Sequence, residues 1–573
     1  MGLVLHRRYR SSSFAVTTAK AAATAVYSVV PSSSSSLPVA SLLSLCRSLR
    51  SLEQIHSLII RKGLEQHQVL LCRFLGLCSS LSAIIYAKEV FFRISSPNII
   101  HWNTLLSASS NLSSLSSTIS LFNIMRCSQI PDHYSFPCLL KSCTAHLALS
   151  VGASLHSLLH RMDLDDDLYI RTSLVDFYGK CGQVDASRKL FETMLYRNEV
   201  SWTAMIDCYF NNGDYTSARA LFDEMPERNG VSWNVMIGGY VNAGDLITAR
   251  EVFNMMPERN VVSFTVMIDG YAKAGDMPSA RFLFEKLSTK DIFVWSVMIS
   301  GYAQNCQPSH SLKLFLEMYN LEIKPDQAVL VGLMSACAQL GRVSLAKWVD
   351  SYVGKMSTYT DSPQLSSALI DMNAKCGDMA RAAFLFDSMQ IRDLVSYCSM
   401  MQGYSMHGSA GKSVELFDQM LKEGIIPDDI AFTVILAACG QAGLIEEGNR
   451  FFKLMKDDYS IVPSPDHYAC IVDLLGRAGM LKEAYHIVRS MPIGPHAGVW
   501  GALLAACRMH SNAELAELAL SRIYEIEPHN AGNFVSISNI YAAQNRWADV
   551  SQIRMLMRSK GLRKIPGCTW IYS

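Results

Sequence analysis

Gly182, Gly213, Gly244 and Gly275 stand 31 residues apart, and Trp202, Trp233, Phe264 and Trp295 keep the same step. A fixed period of this size is the signature of stacked supersecondary units, so the chain must fold as an array rather than around one large core. The series runs on through Cys306, which departs from glycine, to Gly341, Gly377, Gly408, Gly443 and Gly479, in steps of 31, 35, 36, 31, 35 and 36. Two repeat lengths are therefore mixed. At 573 residues, length alone suggests several domains. The repeat overrides that prior, because a stack grows without enlarging any single core.

One unit shows the design. In residues 261–291, Val261, Phe264, Met267, Ile268 and Tyr271 fall on one helical face. Gly275 supplies the left-handed stop that helix ends favour, Asp276 caps the next helix, and Pro278 is tolerated in its first turn. The second helix turns Ala280, Leu283 and Phe284 toward the first. Such an antiparallel hairpin has too little core to stand alone, and stacking supplies the rest. The longer repeats end at Pro131-Asp132, Pro325-Asp326 and Pro427-Asp428. Their four added residues amount to about one helical turn before proline forces an exit.

Half the residues are hydrophobic, ample for a continuous stacked core. Sixteen cysteines show no C-x-x-C, and Cys337, Cys439 and Cys507 recur at equivalent positions, which reads as helix packing rather than a disulfide framework. Net charge is +1, but residues 1–36 hold Arg7, Arg8, Arg10 and Lys20 with no acid. Without those four, 47 basic residues face 50 acidic ones, so bulk charge does not announce nucleic acid. The Arg- and Ser-rich, acid-free start has the composition of an organellar transit peptide. The early arginines favour mitochondrion, with chloroplast as the alternative. The myristoylation pattern fails at His6, and no apolar run reaches the roughly 18 residues that span a bilayer, so no membrane partner is expected.

The phrases VSWNVMIGGYVNAGDLITAREVFNMMPERN and IKPD resemble pentatricopeptide repeat (PPR) proteins of plant organelles, in the PLS class that alternates P, L and S repeats. Tetratricopeptide arrays keep a steady period of about 34 and lack the MPERN and KPD endings. The resemblance implies an all-α fold, a right-handed superhelical solenoid of stacked helix-turn-helix repeats. It divides the chain into a leader at 1–36, a PPR array at 37–496, E1 and E2 motifs at 497–571 and an end at 572–573. The array begins with an L-like unit near residue 37 and continues 68–98 (S), 99–132 (P) and 133–167 (L). Four S repeats follow at 168–198, 199–229, 230–260 and 261–291. Then come 292–326 (P), 327–362 (L), 363–393 (S), 394–428 (P), 429–464 (L-like) and 465–496 (S-like). VWGALLAACRMHSNAELAELALSRIYEIEPHN and the segment after it resemble the E1 and E2 motifs of the E subgroup.

In that family the fifth and last residues of a repeat face one RNA base. Seven pairs match here: Asn103/Asp132, Thr172/Asn198, Thr203/Asn229, Asn234/Asn260, Thr265/Asp291, Ser296/Asp326 and Ser367/Asp393. The chemistry is intelligible on its own terms. An ionised Asp only accepts hydrogen bonds and suits the imino N–H of G or U, whereas Asn also donates and can meet the ring nitrogen of A or C. Family usage adds Thr or Ser for purines and Asn for pyrimidines. Read 5′ to 3′, the pairs spell U, an unread base, A, A, C or U, G, G, an unread base and G. Second-position Tyr169, Val200, Val231, Val262 and Phe293 are placed to stack on bases. The fourth-position aromatics Trp202, Trp233 and Trp295 lie on the apolar stripe and belong to hairpin packing. Cys72 and Cys398 stand at fifth positions where a code residue is expected, Pro137 and Val331 cannot hydrogen-bond a base through their side chains, and Asp361 or Ser362 could end residues 327–362.

PPR proteins of this subclass often direct cytidine-to-uridine editing, and some end in a zinc deaminase domain needing His-x-Glu and Pro-Cys-x-x-Cys. The sequence holds no His-x-Glu and no C-x-x-C. No catalytic residue, metal site, cofactor or small-molecule substrate is therefore expected. The expected partners are single-stranded organellar RNA and, acting in trans, a DYW-type deaminase protein with other editing factors. Family usage puts the edited cytidine four nucleotides beyond the base facing 465–496, hence seven beyond the Ser367/Asp393 base. The alternatives are an organellar splicing or transcript-stabilising factor, and a protein-binding helical scaffold.

Overall fold

The computed structural model describes residues 37–46, 49–81, 83–112, 114–356, 362–527, 530–559 and 561–562. The expected leader at 1–36, Asp361 and the end of the E2 segment lie outside them. The described residues form 32 α-helices and no strand. They group into two compact units, one ending at Val294 and the other starting at Trp295. Each is built from antiparallel helical hairpins, in which a first helix packs on its own second helix and on the first helix of the following hairpin.

In the first unit the hairpin Glu199–Asn211 with Tyr215–Glu224 shows how the sequence dictates the turn. Gly213 adopts φ 79°, and Gly182, Gly244 and Gly275 stand at 77°, 82° and 84°, the left-handed region closed to most side chains. Asp214, Asp245 and Asp276 then cap the second helices by accepting the N–H of Ser217, Thr248 and Ser279. Pro278 sits in the first turn after Asp276, as expected. Ala218, Ala249 and Ala280, on the second helices, are fully buried. At Ser187 a serine fills the same place, and its hydroxyl donates to the carbonyl of Val175 at 2.8 Å.

The MPERN phrase also has a physical meaning. Arg228 donates through Nε to the carbonyl of Phe222 at 2.9 Å and through Nη2 to that of Asp223 at 2.7 Å. Arg197 and Arg259 repeat the arrangement on Phe191 and Phe253. Each guanidinium thus donates to carbonyls of the second helix's last turn while lying against the same phenylalanine. That ring meets the next fourth-position aromatic edge-on, at 5.1 Å for Phe191–Trp202, 4.9 Å for Phe222–Trp233 and 5.0 Å for Phe253–Phe264. These aromatics join neighbouring hairpins, in agreement with their place on the apolar stripe.

The second unit follows the same rules. Gly341, Gly377, Gly408, Gly443 and Gly479 all have φ between 62° and 96°. Cys306 occupies the equivalent turn at φ 54° although it carries a Cβ. Its longer repeats have longer second helices: Pro308–Asn320 and Ala410–Lys422 span 13 residues each against 10 in Met379–Ser388. The difference is one helical turn, as the repeat lengths require. Four further helices, Ala497–Met509, Ala513–Ile526, Ala531–Ala543 and Trp547–Ser559, carry the hairpin pattern into the C-terminal segment. Cys337, Cys439 and Cys507 are fully buried, and burial pushes their thiols up to about 12, 12 and 11, which keeps them protonated packing groups. Among the described residues no helix is long and apolar enough to cross a membrane.

Candidate nucleic-acid interface

The last residue of each of the seven pairs bonds the start of the following helix, and that bond orients the rest of its side chain. Asn198, Asn229 and Asn260 each cap the following helix, their Oδ1 accepting the N–H of Ser201, Ser232 and Ser263 at 2.9, 2.9 and 2.8 Å. Asp291, Asp326 and Asp393 cap Val294, Val329 and Ser396 in the same way, at 3.0, 2.9 and 2.9 Å. An Asn or Asp cap must spend an oxygen, because the helix start offers only donors. An Asn amide is thereby oriented with its Nδ2 donor turned away from the helix, and an Asp presents its second carboxylate oxygen there. Asn and Asp at this position differ as donor and acceptor at one spot, which is the distinction needed to separate A and C from G and U.

The fifth-position side chains lie deeper. Thr203, Asn234 and Thr265 in the first unit, and Ser296 and Ser367 in the second, are all buried. The hydroxyls of Thr172, Thr203, Thr265 and Ser367 donate to the carbonyls of Leu168, Glu199, Val261 and Pro363 four residues back, at 2.7, 2.9, 2.7 and 2.9 Å. That bond holds the rotamer and leaves oxygen lone pairs facing outward. Asn234 differs. Its Nδ2 makes a long 3.5 Å contact to Asn260 Oδ1, while its own Oδ1 is buried without a partner among the described residues.

Three of the seven pairs are joined directly. Asn103 donates to both carboxylate oxygens of Asp132, Asn234 reaches Asn260, and Ser367 donates to Asp393 Oδ1 at 3.3 Å. Among the described residues no direct hydrogen bond joins Thr172 to Asn198, Thr203 to Asn229, Thr265 to Asp291 or Ser296 to Asp326. Thr203 and Asn229 are nevertheless held by one residue. Glu199 takes the Thr203 hydroxyl on its carbonyl and the Asn229 amide Nδ2 on its carboxylate.

Second positions are as open as the fifth are closed. Tyr169, Val200, Val231, Val262 and Phe293 are 51–66 % exposed. Val69, Ile100 and Tyr134 in the first unit and Val395 in the second share both position and exposure. The sequence reading passed over these four although the same repeat register points to them. Cys398 is half-buried at its fifth position; burial first, then Asp428 and Asp393, push its thiol up to about 12. Cys72 has its Sγ 3.5 Å from Thr104 Oγ1. Ser362 occupies the position before the helix Pro363–Lys375, where Asn198 stands before its own helix. Among the described residues no three His, Cys, Asp or Glu side chains gather where a metal could be held.

Stacked hairpins bearing a regular polar and apolar register define an α-helical repeat protein. A PPR repeat model matches at 169–198, 200–230, 231–261, 262–292, 293–323, 366–394 and 430–459, a further PPR repeat family model at 392–441, and an E motif model at 510–572. The pentatricopeptide repeat-containing protein At5g37570 of Arabidopsis thaliana is 56% identical over 93% of this chain and 98% of its own length. At1g08070, a chloroplastic member from the same plant, is 36% identical over 93% of this chain and 78% of its own. The chain belongs to the pentatricopeptide repeat family, in the E subgroup of its PLS class. Among solved structures it is similar to maize PPR10, at 15% identity and a TM-score of 0.39 over 89% of this chain and 88% of that one. PPR10 in complex with an 18-nt PSAJ RNA element gives 15% and 0.47 over 88% of each chain.

Proposed function

We propose that the chain is a sequence-specific RNA-binding factor that selects a site for organellar C-to-U editing and recruits a deaminase in trans. The observation that carries the reading is the shared capping geometry. Because the last residue of each of the seven pairs spends one oxygen on the next helix, its identity as Asn or Asp sets whether a donor or an acceptor faces the base. The exposed second-position side chains flank those readers at the same period and offer stacking surfaces, worth about 1–3 kcal/mol per base where aromatic. PPR10 is named as binding an RNA element, and a single-stranded RNA is the ligand proposed here.

The pairs Asn103/Asp132 through Ser367/Asp393 select U, an unread base, A, A, C or U, G, G, an unread base and G. The chain itself supplies recognition and no catalysis, and the E motif docks the deaminase-bearing partner. The organelle proposed is the mitochondrion. Two measurements test this. Binding of matched and scrambled RNA is compared at fixed salt, since phosphate contacts alone are salt-dependent and blind to sequence. Editing is then scanned across organellar transcripts in plants lacking the chain. Tighter binding of the matched RNA and loss of editing at one or a few cytidines are expected. Retained introns or lost transcript ends with intact editing would overturn the editing role.

A further inference from the structure

The first residue of a repeat stands beside that repeat's last residue. Gln327 Nε2 donates to Ser362 Oγ at 2.9 Å, and a Cβ placed on Gly230 would come within 2.9 Å of Asn260 Nδ2. In residues 199–229 the neighbour is Glu199, whose carboxylate accepts the Asn229 amide Nδ2. Asn198, Asn229 and Asn260 are thus three chemically equal caps in three different settings: an apolar Leu168, an anionic Glu199 and a bare Gly230.

We propose that Glu199 is a third base-reading residue of its repeat, accepting the exocyclic amine of adenine; this rests on the reading of Thr203/Asn229 as an adenine site. Asn229 presents a donor because its Oδ1 is committed to the N–H of Val231 and Ser232. Glu199 presents an ionised acceptor directly beside that donor. Adenine carries the complementary sequence on its Watson–Crick edge, a ring-nitrogen acceptor next to an amine donor. Guanine in the same register would set its carbonyl oxygen against the carboxylate. Glu199 is exposed and its backbone carbonyl is held by Thr203, so its side chain can turn from the amide to the base without disturbing the hairpin.

Repeat 168–198 is the internal control, since it reads the preceding adenine with Thr172/Asn198 and has Leu168 where Glu199 stands. The test uses the full chain and a matched RNA in which either adenine is replaced by purine riboside, which lacks only the exocyclic amine. At the base facing residues 199–229 the replacement should weaken binding about tenfold more than at the base facing 168–198, the effect of one charge-assisted hydrogen bond. Glu199→Leu should abolish that difference, and Glu199→Gln, which keeps an acceptor oxygen, should retain part of it. Equal losses at both positions in the unaltered chain would overturn the proposal. So would Glu199→Leu binding every RNA more tightly and by the same factor, which would make Glu199 a mere source of repulsion. If the unaltered chain failed to prefer matched over scrambled RNA, the reading pairs themselves would fall, and that outcome is distinct from both.

Discussion

Asn103 donates through Nδ2 to both carboxylate oxygens of Asp132, at 2.9 and 3.1 Å, across 29 residues of chain. Ser135 completes the cluster: its hydroxyl lies 2.7 Å from Asn103 Oδ1 and 2.9 Å from Asp132 Oδ1, and its N–H donates to Asp132 Oδ1 at 3.0 Å. The pair proposed to read a base and a helix cap are here one object. Asp132→Asn keeps the capping oxygen but turns a second amide toward the amide of Asn103. Stability should fall by about 1 kcal/mol, the worth of the lost bond, and the preference for U should relax to C or U, as for Asn234/Asn260. Asp132→Ala should cost about 1 kcal/mol through the cap alone and leave that base unread. Thermal unfolding and binding of base-substituted RNAs measure the two effects.

Asn234 separates recognition from folding. Its buried Oδ1 has no protein partner among the described residues, and an unsatisfied buried acceptor costs roughly 1–3 kcal/mol. Asn234→Ala is therefore expected to leave the melting temperature unchanged or raise it, although a side chain has been removed from a buried site. The same substitution should weaken binding of matched RNA by about tenfold, one lost hydrogen bond to a base. Asn234→Thr, paired with Asn260, should change the preference at that base from pyrimidine to adenine. Equal affinity of the Ala variant and the unaltered chain for matched RNA would show that Asn234 does not read.

Cys306 tests the turn. A residue with a Cβ held in the left-handed region costs about 1–2 kcal/mol relative to an ordinary conformation, and glycine avoids that cost. Glycine also brings more freedom to the unfolded chain, which returns part of the gain. The net expectation for Cys306→Gly is stabilisation by up to about 1 kcal/mol. Gly275→Ala is the reverse experiment, destabilising at φ 84°. Denaturant midpoints compare the two variants with the unaltered chain.

The array was legible because its signals are local. Gly244 with Asp245, or Gly275 with Asp276, states in two adjacent residues where one helix ends and the next begins. Pro325-Asp326 states where a longer unit stops. The register of the reading pairs followed from the same period, and so did the exposed second positions once the boundaries were drawn. What stayed hidden depends on rotamers across the stack. Asn198, Asn229 and Asn260 differ through the residue that opens each repeat about 30 positions earlier, and only the fold shows that Glu199 stands beside Asn229. Nor does residue type reveal that Thr203 and Thr265 are buried, since a threonine fits a solvated face equally well. Arg228 was read only as part of a family phrase, and its action on the carbonyls of Phe222 and Asp223 depends on how the loop folds back.

Asp207 supplies a pH dependence with a definite sign. Burial pushes its carboxyl above the ordinary aspartate range; Lys180 opposes the shift, Asp176 adds to it, and a hydrogen bond from Asn211 at 3.0 Å opposes it. A carboxyl whose folded value is raised favours the folded state when protonated, so its contribution is most favourable below the unfolded value and is lost as pH rises through the folded one. Above the folded value the group is ionised in a place that resists charge. Asp207→Asn should therefore stabilise the chain at pH 7, with Lys180 still paired to Asp176 at 2.7 Å. The advantage should shrink as pH falls and vanish below about 3.9, where aspartate is protonated in both states. Urea unfolding of both proteins across that range checks the sign. A stability difference independent of pH would mean that Asp207 acts by shape and not by charge.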